Sequence, residues 1–388
     1  SATSTSRTGA MQQHTPTTPP TIVACWAGGG LLVGTTVLLI FTGTLIGKTL
    51  EATSDVLNRQ DIAEKSRDFA TLALLASGPR ARDLVSLLFV LELLGFAVSG
   101  IIIVGVNASL LTGLPPPLVI VLSTLVTLTL TYASMRALAY VSAVSCLAVP
   151  ITAVAATWSG VAMPVVPAAL HSALRVQGVP RALGIVLFAC GGHPCLPSIY
   201  WSMRDRSQFF VACLVGLLVS MAFFGIVAGL TYQLFGAELR KVFTENIGRD
   251  LSGKPLPGLH ALQPLTAAAF AIKLQGTTPL LVGPIVTLVE TSLCVGPEDR
   301  RRKGAVKVLV LTVCTLVALF FHDALDVFCS IGGYALTMTT SVVFPCWVYW
   351  KLVPGHGYLM WTTLMGTMVA GIGYAIYGTI DALSSFGA

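Results

Sequence analysis

Residues 184–209 read GIVLFACGGHPCLPSIYWSMRDRSQF. The stretch begins as an apolar membrane segment and is broken in mid-span by Gly191, Gly192, Pro194 and Pro197, with His193 among them. Backbone without regular hydrogen bonds costs several kcal/mol per orphaned group in hydrocarbon, so it survives only where protein buries it or a wet cavity receives it. A Gly/Pro-interrupted span is therefore the best sequence pointer to a substrate site at membrane depth.

The rest of the chain fits a membrane setting. Of its 388 residues 54% are hydrophobic and only 10% charged, with a mean hydropathy of +0.81, whereas soluble domains carry roughly 25% charged residues. A span needs ~20 mainly apolar residues. Ten segments qualify: 23–47, 84–112, 117–134, 137–160, 182–201, 209–236, 262–293, 304–321, 324–350 and 357–380. They leave no room for a soluble domain and are expected to form one membrane domain over 23–380. A polar Ser/Thr/Pro-rich leader at 1–22 is expected to be disordered, and a short tail follows at 381–388. The nine cysteines lie mostly within spans without metal-ligand spacing and read as small packing residues. Cys190 and Cys195 flank the break and could also line a cavity. The net charge of +6 reads as membrane orientation and calls for no nucleic-acid partner.

Fifteen of the 23 Lys and Arg residues fall on the side holding the loops after the first, third, fifth, seventh and ninth spans. Seven fall on the other side, and Lys273 lies inside the seventh span. The richer side is cytoplasmic by the positive-inside tendency, which puts both termini on the opposite face. One further helix before residue 23 would return the N-terminus to the cytoplasm. With Ser1 in place of an initiator methionine, the sequence is expected to lack such a span. The loop from Lys48 to Asp83 carries six basic and six acidic residues and reads as a cytoplasmic connection with short helical pieces.

Ionisable residues near the bilayer centre cost roughly 2.5–3.5 kcal/mol on insertion scales, so each asks for a reason. His193 is either a ligand for substrate or proton, or a histidine bonding carbonyls freed by the break. Lys273 is either a coupling residue in the transport path or a lysine snorkelling from the end of its span. Thr277 and Thr278 precede Pro279; their hydroxyls could take a small cation or bond their own helix. Glu92 and Glu290 are weaker candidates, and Asp323 and Asp326 are expected to be solvated in a short connection. Gly28–Gly30 is either a second break or, the favoured reading, a close-packing run, and Gly332–Gly333 reads as close packing, with a kink expected at Phe344-Pro345. The sequon at Asn107 sits too close to a membrane end to be taken as a glycosylation site. The chain has no GxSxG, HExxH or phosphate-loop signature, and an intramembrane enzyme would need an acid or nucleophile pair around His193 that is not apparent.

The run FACGGHPCLPSIYWSMRDRSQF (188–209) resembles the signature of the amino acid/auxin permease family: Gly-His, Pro-x-Ile, then Met-x-Asp/Asn-x-x-x-Phe. Other segments agree in order. CWAGGGLLVGTTVLLIFTGTLIGKTL resembles that family's second helix, ELLGFAVSGIIIVGVN its third and LAYVSAVSCLAVPI its fifth. IKLQGTTPLLVGPIVTLVE resembles its eighth and leans toward the vesicular and vacuolar branch; RRRKGAVKVLVLTVC and FCSIGGYALTMTTSVVFPCWVYWKL resemble the ninth and tenth. The resemblance implies an all-α polytopic fold of eleven helices in an inverted five-plus-five repeat, of which ten are present and the substrate-binding first helix has no counterpart. It also implies secondary active transport of a small amino acid by alternating access, with a proton or sodium ion as coupling ion and no other cofactor, and it implies no enzyme activity. Substrate contact is expected at Cys190, Gly191, Gly192, His193 and Pro197, with Lys273, Thr277 and Thr278 along the pathway. Vacuolar, endolysosomal or vesicular membranes are favoured over the plasma membrane. The alternatives are a non-transporting amino acid sensor of the same fold and an inactive truncated fragment.

Overall fold

The computed structural model describes residues 20–62, 64, 67–145, 147–162, 178–296 and 298–386. The leader up to residue 19, Cys146 and the last two residues of the tail lie outside that set. Among the described residues eight helical stretches are long and apolar enough to cross a membrane, and Pro116–Leu130 is a shorter apolar helix. One stretch, Arg300–Leu352, has 53 residues. As a straight helix it would reach about 80 Å, far beyond the ~30 Å of hydrocarbon. It is divided where the chain leaves helical geometry at Phe321–Ala324, so it supplies two spans, and all ten expected segments appear as helices.

Helix α1 runs Pro20–Arg59 and α2 Phe69–Ser77, capped by Asp68, whose carboxylate accepts from the Thr71 amide. Then come α3 (Pro79–Thr112), α4 (Pro116–Leu130), α5 (Met135–Ser145) and α6 (Ala148–Val161). The broken span is α7 (Val179–Ala189), a 3-10 turn (His193–Cys195) and α8 (Leu196–Ser202). It is followed by α9 (Phe209–Phe235), α10 (Leu262–Ser292), α11 (Arg300–Phe321) and α12 (Leu325–Ile331). Two π-helical segments, Gly332–Thr337 and Thr339–Val343, join α12 to α13 (Phe344–Leu352), and α14 (Tyr358–Phe386) closes the chain.

Several boundaries differ from the sequence reading. The fourth span appears as two helices, α5 and α6, on either side of Cys146. The first helix continues twelve residues past position 47, burying Thr49, Leu50, Thr53 and Leu57 while Glu51 and Asp55 stay exposed; a helix need not stop where hydrocarbon ends. The tail is likewise helical to Phe386. Around Gly28–Gly30 there is neither a break nor close packing, for added Cβ atoms there would meet open space. Gly332 and Gly333 do mark a tight crossing: a Cβ on Gly333 would stand 1.7 Å from the Gly184 carbonyl oxygen, and one on Gly332 2.6 Å from the Phe188 ring. The turns before Pro345 widen into π-helix, the irregularity that a proline within a helix calls for.

The interior is built from helix pairs. The first span packs on the sixth (α1 on α9), the second on the seventh (α3 on α10) and the third on the eighth (α4 on α11). An inverted five-plus-five repeat pairs spans five places apart in this way. Ala97, Val98, Ile101 and Ile102 of α3 meet Val282 and Ile285 of α10 and Leu311, Cys314 and Ala318 of α11 in the largest core. A second cluster (Leu50, Phe69, Tyr200, Trp201, Phe209, Phe344) fills the end of the bundle that carries the Lys48–Asp83 connection. Phe210, Val211, Val215 and Val219 of α9 remain exposed, as a lipid-facing surface should. Asn107 is fully buried and accepts from Thr244 Oγ1 at 2.7 Å, so it is no glycosylation site.

Charged groups collect at the two ends. Arg206 meets Glu64 at 2.6 Å and lies over the Trp201 ring. At the opposite end Arg181 meets Asp326 at 2.9 Å, and Lys241 approaches the same carboxylate at 3.3 Å. Asp326 is therefore an ion-paired connector rather than a solvated loop residue, while Asp323 is exposed as expected.

Asp205 accounts for the Met-x-Asp-x-x-x-Phe pattern that leads into α9. Its carboxylate accepts from Ser207 Oγ (2.7 Å), the Ser207 amide (3.1 Å) and Gln208 Nε2 (2.9 Å), while Phe209 packs against Gly47 and Tyr200. The Ser207 hydroxyl, ahead of the other donors, holds the Asp205 carboxyl below the usual carboxylate range. The folded state thus favours the ionised form. Its contribution is present above the unfolded value of about 4 and is lost as pH falls through the lower folded value. We expect the melting-temperature gap between wild type and Asp205→Asn to be open at neutral pH and to close in acid, as read by thermal unfolding in detergent across pH.

Candidate functional site

Regular helix stops at Cys190, whose amide is shared between the Val186 and Leu187 carbonyls, and resumes at Leu196. Between them the backbone makes only turn bonds: Gly191 to Phe188, Gly192 to Cys190 and Cys195 to Gly192. The glycines have separate reasons. A Cβ on Gly191 would lie 2.6 Å from the Phe96 ring and 3.2 Å from Glu92 Oε1, so the break is pressed against α3. A Cβ on Gly192 would meet nothing within 4 Å, because Gly192 faces an open groove.

That groove has a volume of about 450 Å³ and runs between the broken span and α9, within the range of small-molecule sites. Cys190, Gly191, Gly192 and His193 line it on one side, and Cys213, Ser220 and Met221 on the other. The Cys190 and Met221 sulfurs are 3.4 Å apart. The C-terminal end of α7 points into the break, and the partial negative charge of a helix C-terminus favours a cation there, such as an ammonium group.

His193 is buried with Nε2 3.0 Å from both the Leu39 carbonyl oxygen and Thr42 Oγ1. A carbonyl can only accept, so Nε2 carries the proton and Nδ1 is left as the acceptor of the neutral ring. The histidine ties the break to α1, and the carbonyl it bonds belongs to α1, not to the break. Thr42 was not anticipated; a threonine inside an apolar helix gives no sign of its partner.

Four of the five expected substrate residues thus meet on one groove. Pro197 is buried in the first turn of α8, just behind it. Lys273, Thr277 and Thr278 are not brought to the groove. Lys273 lies over the Phe270 ring at 5.7 Å. Both threonine hydroxyls donate within their own helix, Thr277 to the Lys273 and Leu274 carbonyls and Thr278 to that of Leu274 at 2.7 Å. Glu92 gains weight instead: it is fully buried and accepts from Thr340 Oγ1 at 2.8 Å. The hydroxyl-rich run Thr337-Met-Thr-Thr-Ser sets this stretch apart in an otherwise apolar span, but nothing in it names Glu92 as the partner. Among the described residues no group of three His, Cys, Asp or Glu side chains is placed to hold a metal ion.

The model of the transmembrane amino acid transporter protein family matches residues 23–383. The chain belongs to this family. Its members are transporters, not enzymes. The chain is 24% identical over 380 residues to amino acid transporter AVT1D of Arabidopsis thaliana, covering 92% of this chain and 64% of that protein. It is 23% identical over 376 residues to AVT1I of the same plant, covering 92% and 87%. A shorter match, 28% over 216 residues, covers 54% of this chain and 48% of AVT1J. The chain thus spans less than two-thirds of AVT1D and most of AVT1I.

Proposed function

We propose that this protein moves small amino acids across a membrane by alternating access, driven by a proton gradient, with the broken span as its substrate site. The observation that carries the reading is the groove at Cys190–His193, where unwound backbone, a helix C-terminus and a histidine acceptor converge on a volume suited to a small zwitterion. Membership of the transporter family and similarity to proteins named amino acid transporters support the substrate class. The substrate's ammonium would sit at the α7 end. The paired ionic clusters at the two ends of the bundle are suited to closing one side at a time. The pattern Lys273-Leu-Gln-Gly-Thr-Thr-Pro favours a vacuolar, endolysosomal or vesicular membrane.

The test is uptake of a panel of labelled amino acids into proteoliposomes under an imposed pH gradient. We expect gradient-dependent accumulation of at least one small amino acid. Binding without flux would make the protein a sensor, accumulation driven by sodium alone would replace the coupling ion, and neither binding nor flux for any amino acid would contradict the reading.

A further inference from the structure

Glu92 lies within the membrane-competent helix α3 with no exposed surface. Its Oε2 accepts from Thr340, while its Oε1 is buried without a hydrogen bond of normal geometry, with the equally unbonded Thr337 hydroxyl beside it. Oε1 and the Thr337 methyl both lie 3.2 Å from where a Cβ on Gly191 would stand, so the orphan oxygen faces the break. Such an orphan is rare in folded proteins and calls for an explanation.

The surroundings narrow the explanation. Facing Glu92 are Thr337 and Thr340 from the π-helical segments, the Gly191 backbone and the Cys195 thiol from the broken span, and the Phe96 ring from α3 itself. None of the ion pairs among the described residues includes Glu92. Charged groups on the helices packed against α3 are engaged elsewhere or stand at the ends: Lys273 over Phe270, Lys307 on the Thr131 carbonyl, Asp326 on Arg181, and Glu290 in the last turns of α10. An ionised carboxylate there would have two threonine hydroxyls beside it and no cation. A neutral acid needs no cation, and its O–H supplies a donor on the side that faces the unwound backbone.

We propose that Glu92 is the proton-carrying residue of the transport cycle, taking the proton on Oε1 while Thr340 holds Oε2. The step is a proton added to a carboxylate from one aqueous face and released to the other, with no electrons moved. Because Oε1 abuts Gly191, its occupancy bears directly on the break, and Thr340 ties it to the second π-helical segment, which follows the one that crosses α7 at Gly333. This assignment rests on the transport reading, and two readouts separate their failures.

The first readout uses the full chain with Glu92→Gln in proteoliposomes. Glutamine keeps an acceptor for Thr340 and cannot carry a proton. Accumulation driven by the pH gradient is expected to fall at least about tenfold further than exchange of labelled for unlabelled amino acid at equal pH. Glu92→Asp, which keeps an acid, is expected to regain gradient-driven uptake. The second readout is infrared difference spectroscopy of wild type against Glu92→Gln, in which a protonated carboxylic acid band that titrates with pH is expected only in wild type. A wild type that shows the band but moves no amino acid would sink the transport reading and leave the proton site standing. Undiminished gradient-driven uptake in Glu92→Gln, accumulation and exchange falling in step, no rescue by Glu92→Asp, or no such band would each overturn the assignment.

Discussion

Gly333→Ala is expected to abolish recovery of folded protein. The added methyl would stand 1.7 Å from the Gly184 carbonyl oxygen, 2.6 Å from its carbonyl carbon and 3.0 Å from its Cα. All three are backbone, so no side-chain rotation relieves the contact and the π-helical segment must part from α7. That crossing also seats Phe188 against Gly95 and Gly332, and the Ser330 hydroxyl bonds the Arg181 carbonyl across it at 3.1 Å. Overpacking a close contact costs typically ~1–3 kcal/mol, and a backbone clash of this depth exceeds that range. Gly373→Ala is the control, since its methyl would enter open space and alanine is the better helix former by about 1 kcal/mol. Size-exclusion profiles and melting temperatures in detergent should show Gly333→Ala aggregated or absent and Gly373→Ala at least as stable as wild type.

Asp326→Asn is expected to loosen the end of the bundle where α7, α12 and the α9–α10 connection meet. The carboxylate joins α12 to α7 through Arg181 and to the connection between α9 and α10 through Lys241, whose ammonium also donates to the Asp323 carbonyl. Removing it leaves two cations facing each other, and Arg181 Nε is already buried without a partner. Breaking a fully buried pair costs 3–5 kcal/mol. These side chains are 30–55% exposed, so solvent screening reduces the loss to about 1–2 kcal/mol. In an alternating-access cycle that bias favours the state open at this end by roughly five- to thirtyfold. A double-mutant cycle of Asp326→Asn with Arg181→Gln, read by thermal unfolding, should show a coupling near 1 kcal/mol; additive effects would mean that the pair holds nothing together.

These two sites also mark what the sequence could and could not disclose. Hydrophobic length identified the ten spans, since a span's composition is set by lipid and not by its neighbours. The break at Gly191–Pro197 was legible because two glycines and two prolines cluster there, whereas Gly28–Gly30 or Pro279 and Pro284 alone leave their helices continuous. Partner choice was not legible. Nothing in the spacing of Thr42 or Thr340 announces that one holds His193 and the other Glu92, because those pairings join spans 151 and 248 residues apart. Asp326 looked like a loop residue because a three-residue break at His322–Ala324 suffices to reverse the chain, placing it in the first turn of a helix facing Arg181. Thr277 and Thr278 carried the composition of a cation site, yet their hydroxyls turn back onto their own helix.

The most direct test of the central claim, that the groove at the broken span holds the transported amino acid, is labelled amino acid uptake by Gly192→Leu in proteoliposomes. Gly192 faces open space in the groove, with φ −112°, a conformation open to any residue, so the side chain fits without disturbing the fold. The account predicts a melting temperature equal to wild type and uptake lowered more than about tenfold, since the side chain occupies volume that the substrate needs. A well-folded Gly192→Leu protein that transports at the wild-type rate and affinity would contradict it.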